Sequence, residues 1–119
     1  LRGSTRGRAP EVEAAFPGAR VLAFGHLGDG NVHFNVRPPL GEGSALWLDR
    51  NMEAVNRMVH DAVAAMGGTL SAEHGIGVLK RAEFARLAEP GRIEWMRAVK
   101  HALDPRGIMN PGKLLPPCE

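Results

Sequence analysis

The sequence predicts an α+β fold, an antiparallel sheet with helices on one side, and three observations predict it. Two runs, RVLAFGHL at Arg20–Leu27 and NVHFNVR at Asn31–Arg37, flank Asp29-Gly30. An Asp-Gly pair supplies the positive φ that a tight hairpin turn needs. Leu48, Met52, Val55, Val59, Ala62 and Met66 recur at three- and four-residue steps, which is one face of a helix. Ile93, Met96, Val99 and Leu103 repeat that spacing behind Pro90, a residue suited to a helix's first turn. Strands followed by helices in this order point to helices segregated on one sheet face.

Residues 1–19 are rich in Gly, Pro and Arg. They are expected to be a leader, disordered or left by cloning, with at most a helical turn near Glu11–Phe16. The first strand then starts at Arg20. A two-residue loop at Asp29-Gly30 would set Leu27 opposite Val32, His26 opposite His33 and Phe24 opposite Asn35. Alternation places Phe24, His26, His33, Asn35 and Arg37 on one face and Val21, Ala23, Leu27, Val32, Phe34 and Val36 on the other. The second face is apolar and is expected to be buried. The first lines either solvent or a site. Directly opposed Cβ atoms stand roughly 5 Å apart, so two imidazoles there could share one metal ion. A longer loop would break that opposition.

Pro38-Pro39 ends the second strand, because proline cannot donate to a ladder. Ser44 is expected to cap the helix running to about Met66, and Gly67-Gly68 to stop it. Trp47 and the helix's methionines are expected in the core, with His60 off the stripe and solvated. Gly68–Ser71 reads as a brief strand entering GGTLSAEHGIGVLK at Gly67–Lys80. A helix follows from about Val78 to Leu87, then the helix opened by Pro90, which ends at Asp104-Pro105. Residues 116–119 are a tail. Two strands and a fragment make a poor sheet, since three strands are normally needed. Strands are therefore expected from elsewhere, and self-association through exposed sheet edge is expected of these residues alone.

Composition excludes several classes. The 119 residues are 44% apolar, enough for one domain core, and carry a net charge of +2. That charge is too near neutral for a nucleic-acid surface, and no basic stretch is interleaved with aromatics. No apolar run is long enough to span a membrane. The single cysteine, Cys118, cannot form an internal disulfide and fits a reducing, cytoplasmic setting.

The chemistry gathers in two stretches. GHLGDGNVH at Gly25–His33 offers His26 and His33, and the Gly-rich stretch offers Glu73 beside His74. Neighbouring side chains on an extended segment point apart, so Glu73 and His74 can serve different purposes. Two histidines and one carboxylate form a three-ligand set for zinc that also suits manganese or iron. Asp29 in the turn is a rival ligand but is expected to point away. A divalent cation lowers the pKa of a hydroxyl it holds, and an imidazole is suited to take the proton. Such a site could oxidise a hydroxyl or direct hydrolysis. The dinucleotide-binding fingerprint fails, because no helix opens after GHLGDG. A catalytically silent packing or dimerisation module is the remaining class.

GHLGDGNVHFN at Gly25–Asn35, GGTLSAEHGIGVLK at Gly67–Lys80 and ALDPRGIMNPGK at Ala102–Lys113 together resemble the C-terminal domain of the FAD-linked 2-hydroxyacid dehydrogenases. D-lactate dehydrogenase, the glycolate oxidase flavin subunit and D-2-hydroxyglutarate dehydrogenase belong to that group. The resemblance covers about Arg20–Leu115 and leans toward the D-2-hydroxyglutarate branch. It implies a ferredoxin-like half of the substrate domain, with FAD held mainly by an N-terminal domain outside this chain. It implies His26, His33 and Glu73 as ligands of a divalent metal, zinc or manganese, Asn35 as a substrate contact and His74 as the base. Asn110, in the Asn-Pro-Gly-Lys tail, is implied near the flavin domain. The substrate would be a small D-2-hydroxy acid, gripped by basic residues outside this chain. The electron acceptor is not implied. Residues 20–115 would then be the C-terminal part of a substrate domain, inactive alone.

Overall fold

A computed structural model describes residues 2–26, 28–41 and 43–117. The order of elements is α1 (Arg2–Ala15), β1 (Arg20–His26), β2 (Asn31–Arg37), α2 (Ser44–Ala65), α3 (Arg81–Leu87) and α4 (Pro90–Leu103). The chain divides into two compact units, Leu1–Gly67 and Gly68–Glu119. The α+β class predicted above is the class observed.

In the first unit, α1 replaces the expected disordered leader, with Pro10 inside the helix. Composition argued for disorder, but burial prevails: Val12 is only 2% exposed. The Glu13 carboxylate accepts the Val21 backbone N–H at 2.9 Å, tying α1 to the edge of β1. Phe16 meets Trp47 edge to face, with centroids 6.1 Å apart. Ala19, Trp47 and Val55 form the core, with Phe16, Val36, Leu48 and Val59 packed against it.

The hairpin is antiparallel and pairs His26 with Asn31, Gly25 with Val32, Phe24 with His33 and Leu22 with Asn35. The connection therefore spans residues 27–30 rather than Asp29-Gly30 alone, and the register slips by two residues from that predicted. The Asp29 carboxylate accepts the Asn31 N–H at 3.3 Å, a side-chain turn that occupies the extra length. A slip of two preserves each residue's face. Val32 and Phe34 look onto α1 and α2, lining with Val12, Met58, Val59 and Met66 a cavity of about 70 Å³. Leu27, expected on that face, and Cys118 lie outside the described residues.

Helix α2 starts as predicted but without a side-chain cap: Gly43 stands at its N-terminus, and Ser44 makes no capping bond. Leu48, Val55 and Val59 of the predicted stripe meet the core, and its methionines do not. Trp47 and Val55 are buried, whereas Met52 and Met66 are exposed. His60 is half-buried instead of solvated. Gly67 follows at φ 70, the left-handed stop expected there.

In the second unit, Gly68–Ser71 forms no strand. No described neighbour in this unit pairs with it, and an unpaired short strand leaves its backbone groups unsatisfied. The third helix begins later than predicted, because residues 77–80 are turn. Helix α4 begins at Pro90 as predicted, with Ile93 buried. Val99 and Leu103 from its predicted stripe are exposed, as is Trp95. Arg92 lies over the buried Phe84 ring, 5.8 Å from its centroid.

Candidate metal and substrate site

The hairpin carries His26, His33 and Asn35. On its polar face His26 and His33 lie diagonally rather than directly opposite, with ring centroids 6.1 Å apart and planes at 66°. The slip of register moved Phe24 into the place predicted for His26. Phe24 now stacks on His33, with centroids 5.2 Å apart and an interplanar angle of 21°. The two imidazoles nonetheless remain neighbours on one face of the hairpin. Asn35 and Arg37 continue the same face and are exposed, while His33 is half-buried. Sequence reasoning placed these residues on one face because period-two alternation does not depend on the turn. It missed the Phe24 stack, which depends on the turn alone.

The second unit carries the remaining sequence-predicted residues, Glu73, His74 and Asn110. Glu73 and His74 are both exposed, in an irregular segment between α2 and α3. Gly75 and Gly77 behind them hold φ of 68 and 58, a left-handed conformation that side chains other than glycine adopt at a cost. The segment is pinned at both ends. The Lys80 ammonium donates to Ser71 Oγ at 3.1 Å. The Leu114 N–H donates to the Gly77 carbonyl at 2.9 Å, bringing the tail against the loop. Arg81 Nη1 donates to the Gly112 carbonyl at 2.7 Å, a second tether. The loop bearing Glu73 and His74 and the tail bearing Asn110 thus form one folded piece. Asn110 itself is exposed, at φ 45.

Beneath the tail, Asp104 is 6% exposed. Its carboxylate accepts the N–H groups of Ile108 and Met109 at 3.0 and 2.9 Å, and Lys100 donates to it. The Lys100 bond holds the Asp104 carboxyl below the ordinary carboxylate range, helped by the two backbone donors and opposed by burial. Sequence reasoning read Asp104 only as a helix stop. The signal that could have found it is an acid just past the last turn, with a lysine one turn earlier.

Residues 5–114 match the family model described as "FAD linked oxidases, C-terminal domain". The chain belongs to that family. The match starts inside α1, so the helix is part of the family domain. D-2-hydroxyglutarate dehydrogenase from Stutzerimonas stutzeri is 40% identical over 99 residues, covering 83% of this chain and 21% of that protein. The mitochondrial D-2-hydroxyglutarate dehydrogenase of Arabidopsis thaliana is 38% identical over 98 residues, covering 82% of this chain and 16% of that protein. D-lactate dehydrogenase from Archaeoglobus fulgidus is 40% identical over 98 residues, 82% of this chain and 20% of that protein. The chain thus spans about a sixth to a fifth of the length of these relatives. No helix of the described residues is long and apolar enough to cross a membrane.

Proposed function

We propose that the protein carrying this chain oxidises a D-2-hydroxy acid to the 2-oxo acid with FAD, and that this chain supplies the metal and proton-transfer residues. The supporting observation is the hairpin face on which His26 and His33 are neighbours, ring centroids 6.1 Å apart, in a chain of this family. His26 and His33 from the hairpin and Glu73 from the loop would hold zinc or manganese. When bound, the ion would supply Lewis-acid polarisation of the substrate's hydroxyl, and FAD would supply the acceptor for the Cα hydride. His74 receives the hydroxyl proton, so the C–O bond becomes a carbonyl as both hydrogens leave. Asn35, on the same face as the histidines, donates or accepts a hydrogen bond to the substrate. Asn110 faces the flavin domain from the tail.

The relatives' names favour a D-2-hydroxyglutarate or D-lactate class of substrate. Family membership supports oxidation over the hydrolase and packing-module readings. A cytoplasmic setting fits the single cysteine, although some relatives carry "mitochondrial" in their names. Alone, these residues would bind no FAD tightly, would not turn over, and would self-associate. The exposed Trp95, Val99 and Leu103 on α4 support the last point.

The test uses the whole flavoprotein with FAD and a reducible dye. D-2-hydroxyglutarate, D-lactate and glycolate are each supplied before and after chelation. Turnover of a D-2-hydroxy acid that chelator abolishes and Zn²⁺ or Mn²⁺ restores is the expected result. Activity indifferent to chelator would remove the metal from the reading. No turnover of any 2-hydroxy acid would remove the reaction.

A further inference from the structure

We infer that Phe24 is a positioning residue for His33, holding its imidazole in the plane from which it binds a divalent cation. The inference rests on the metal reading proposed above. Phe24 and His33 are direct partners across the hairpin, and their rings stack with centroids 5.2 Å apart and planes 21° from parallel. Strand pairing fixes where the His33 Cβ stands but not how its ring is turned. The outer torsion of a histidine is broad, with no sharp staggered wells. A flat partner over one face removes most of that freedom. With Phe24 on its face, His33 meets His26 at 66°, edge toward face.

Two further facts separate this role from ordinary packing. Phe24 is 61% exposed, so core burial does not hold it in place. A phenyl face is also electrostatically negative. A cation bound at His33 draws electron density from the imidazole and makes the ring more positive, so the stack strengthens as the ion binds. Phe24 therefore favours the ion-bound state beyond merely filling space.

The experiment is calorimetric titration of Zn²⁺ alone into the chain and its Phe24→Ala, Phe24→Leu and Phe24→Tyr variants. Groups that orient a metal's ligands typically contribute about 10–100-fold in affinity. Phe24→Ala is expected to weaken Zn²⁺ binding within that range. Phe24→Leu, which keeps apolar bulk without a ring, is expected to weaken it similarly, and Phe24→Tyr to restore it. A second readout needs no metal: the His33 ring protons should show an upfield ring-current shift in the wild type and Phe24→Tyr, and lose it in the other two. Wild-type affinity in Phe24→Ala, or full rescue by leucine, would overturn the inference. If Phe24→Ala does not fold, the contrast between leucine and tyrosine decides. Failure of the wild type to bind Zn²⁺ would overturn the metal reading itself, and shows before any variant is compared.

Discussion

Lys100 donates to the Asp104 carboxylate from the last turn of α4 and, with the same ammonium, to the Met109 carbonyl beyond it. Asp104 in turn accepts the N–H groups of Ile108 and Met109. One ion pair thus gathers both ends of the turn that follows α4 and sets the path of the Asn110-Pro-Gly-Lys tail.

This pair predicts an acid sensitivity. The Asp104 carboxyl is held below its ordinary value of 3.8, chiefly by the Lys100 bond. A carboxyl with a depressed folded-state pKa stabilises fully above the unfolded value and loses that contribution as pH falls through the folded one. The stability gap between the wild type and Asp104→Asn should therefore be constant from neutral pH to about 4–5 and close below it. Melting temperatures of both proteins from pH 7 to pH 2 measure this. A gap that persists unchanged at pH 2 would show that the carboxylate's charge is not what stabilises the tail. Hydrogen exchange at the Ile108 and Met109 amides should rise in the variant before the rest of the second unit is affected.

The α+β class and the face assignments were legible because they rest on periodicity. His26, His33 and Asn35 share a face whatever the turn length, provided the slip is even, and the observed slip is two residues. The pairing partners were not legible, since an Asp-Gly pair is compatible with connections of more than one length, and here the last pair is His26 with Asn31. Helix α1 was hidden for a different reason. Its Gly, Pro and Arg argue for disorder locally, and burial of Val12 together with the Glu13–Val21 bond outweighs them. The brief strand at Gly68–Ser71 failed because a strand needs a partner that local sequence cannot report. The loop bearing Glu73 and His74 was legible as a loop, and its tethers through Lys80 and Leu114 were not.

Gly25 should tolerate no side chain. A Cβ built there would stand 2.1 Å from the Asn31 carbonyl oxygen and 2.8 Å from the Val32 Cα, both backbone atoms of the partner strand. Neither can move without breaking the hairpin. Overpacking typically costs about 1–3 kcal/mol, and a clash with backbone belongs at the top of that range. Gly25→Ala should lower the urea midpoint accordingly and also weaken Zn²⁺ binding, because β1 delivers His26. Unchanged stability together with unchanged Zn²⁺ affinity would show that the strands approach less closely at this point.

Trp47 should dominate the first unit's stability. It is 8% exposed, belongs to the core with Ala19 and Val55, and meets Phe16 edge to face. Truncating a buried tryptophan to alanine costs about 3–5 kcal/mol, against a typical total of about 5–15 kcal/mol for a domain. Trp47→Ala should therefore unfold α1 and α2 together at much lower urea, and Trp47→Phe, which keeps a ring against Phe16, should lose less. A Trp47→Ala loss below about 1 kcal/mol would remove Trp47 from the core's centre.

Glu73 and His74 should fail differently although they are neighbours. Both are exposed on one irregular segment. The proposed ligand is Glu73, so Glu73→Ala in the whole flavoprotein should loosen the ion, and added Zn²⁺ or Mn²⁺ should recover part of the turnover. His74 is proposed as the base and not a ligand. His74→Ala should keep its metal and most of its substrate affinity while the rate falls by about 10²–10⁴-fold, the usual contribution of a positioned general base. Excess metal should not restore it. Metal content and steady-state rates of the two variants decide between the roles. If His74→Ala loses the ion and Glu73→Ala keeps it, the two roles are exchanged. Should both keep full metal and full activity, the loop contributes neither ligand nor base, and the carboxylate of the site must come from another part of the protein.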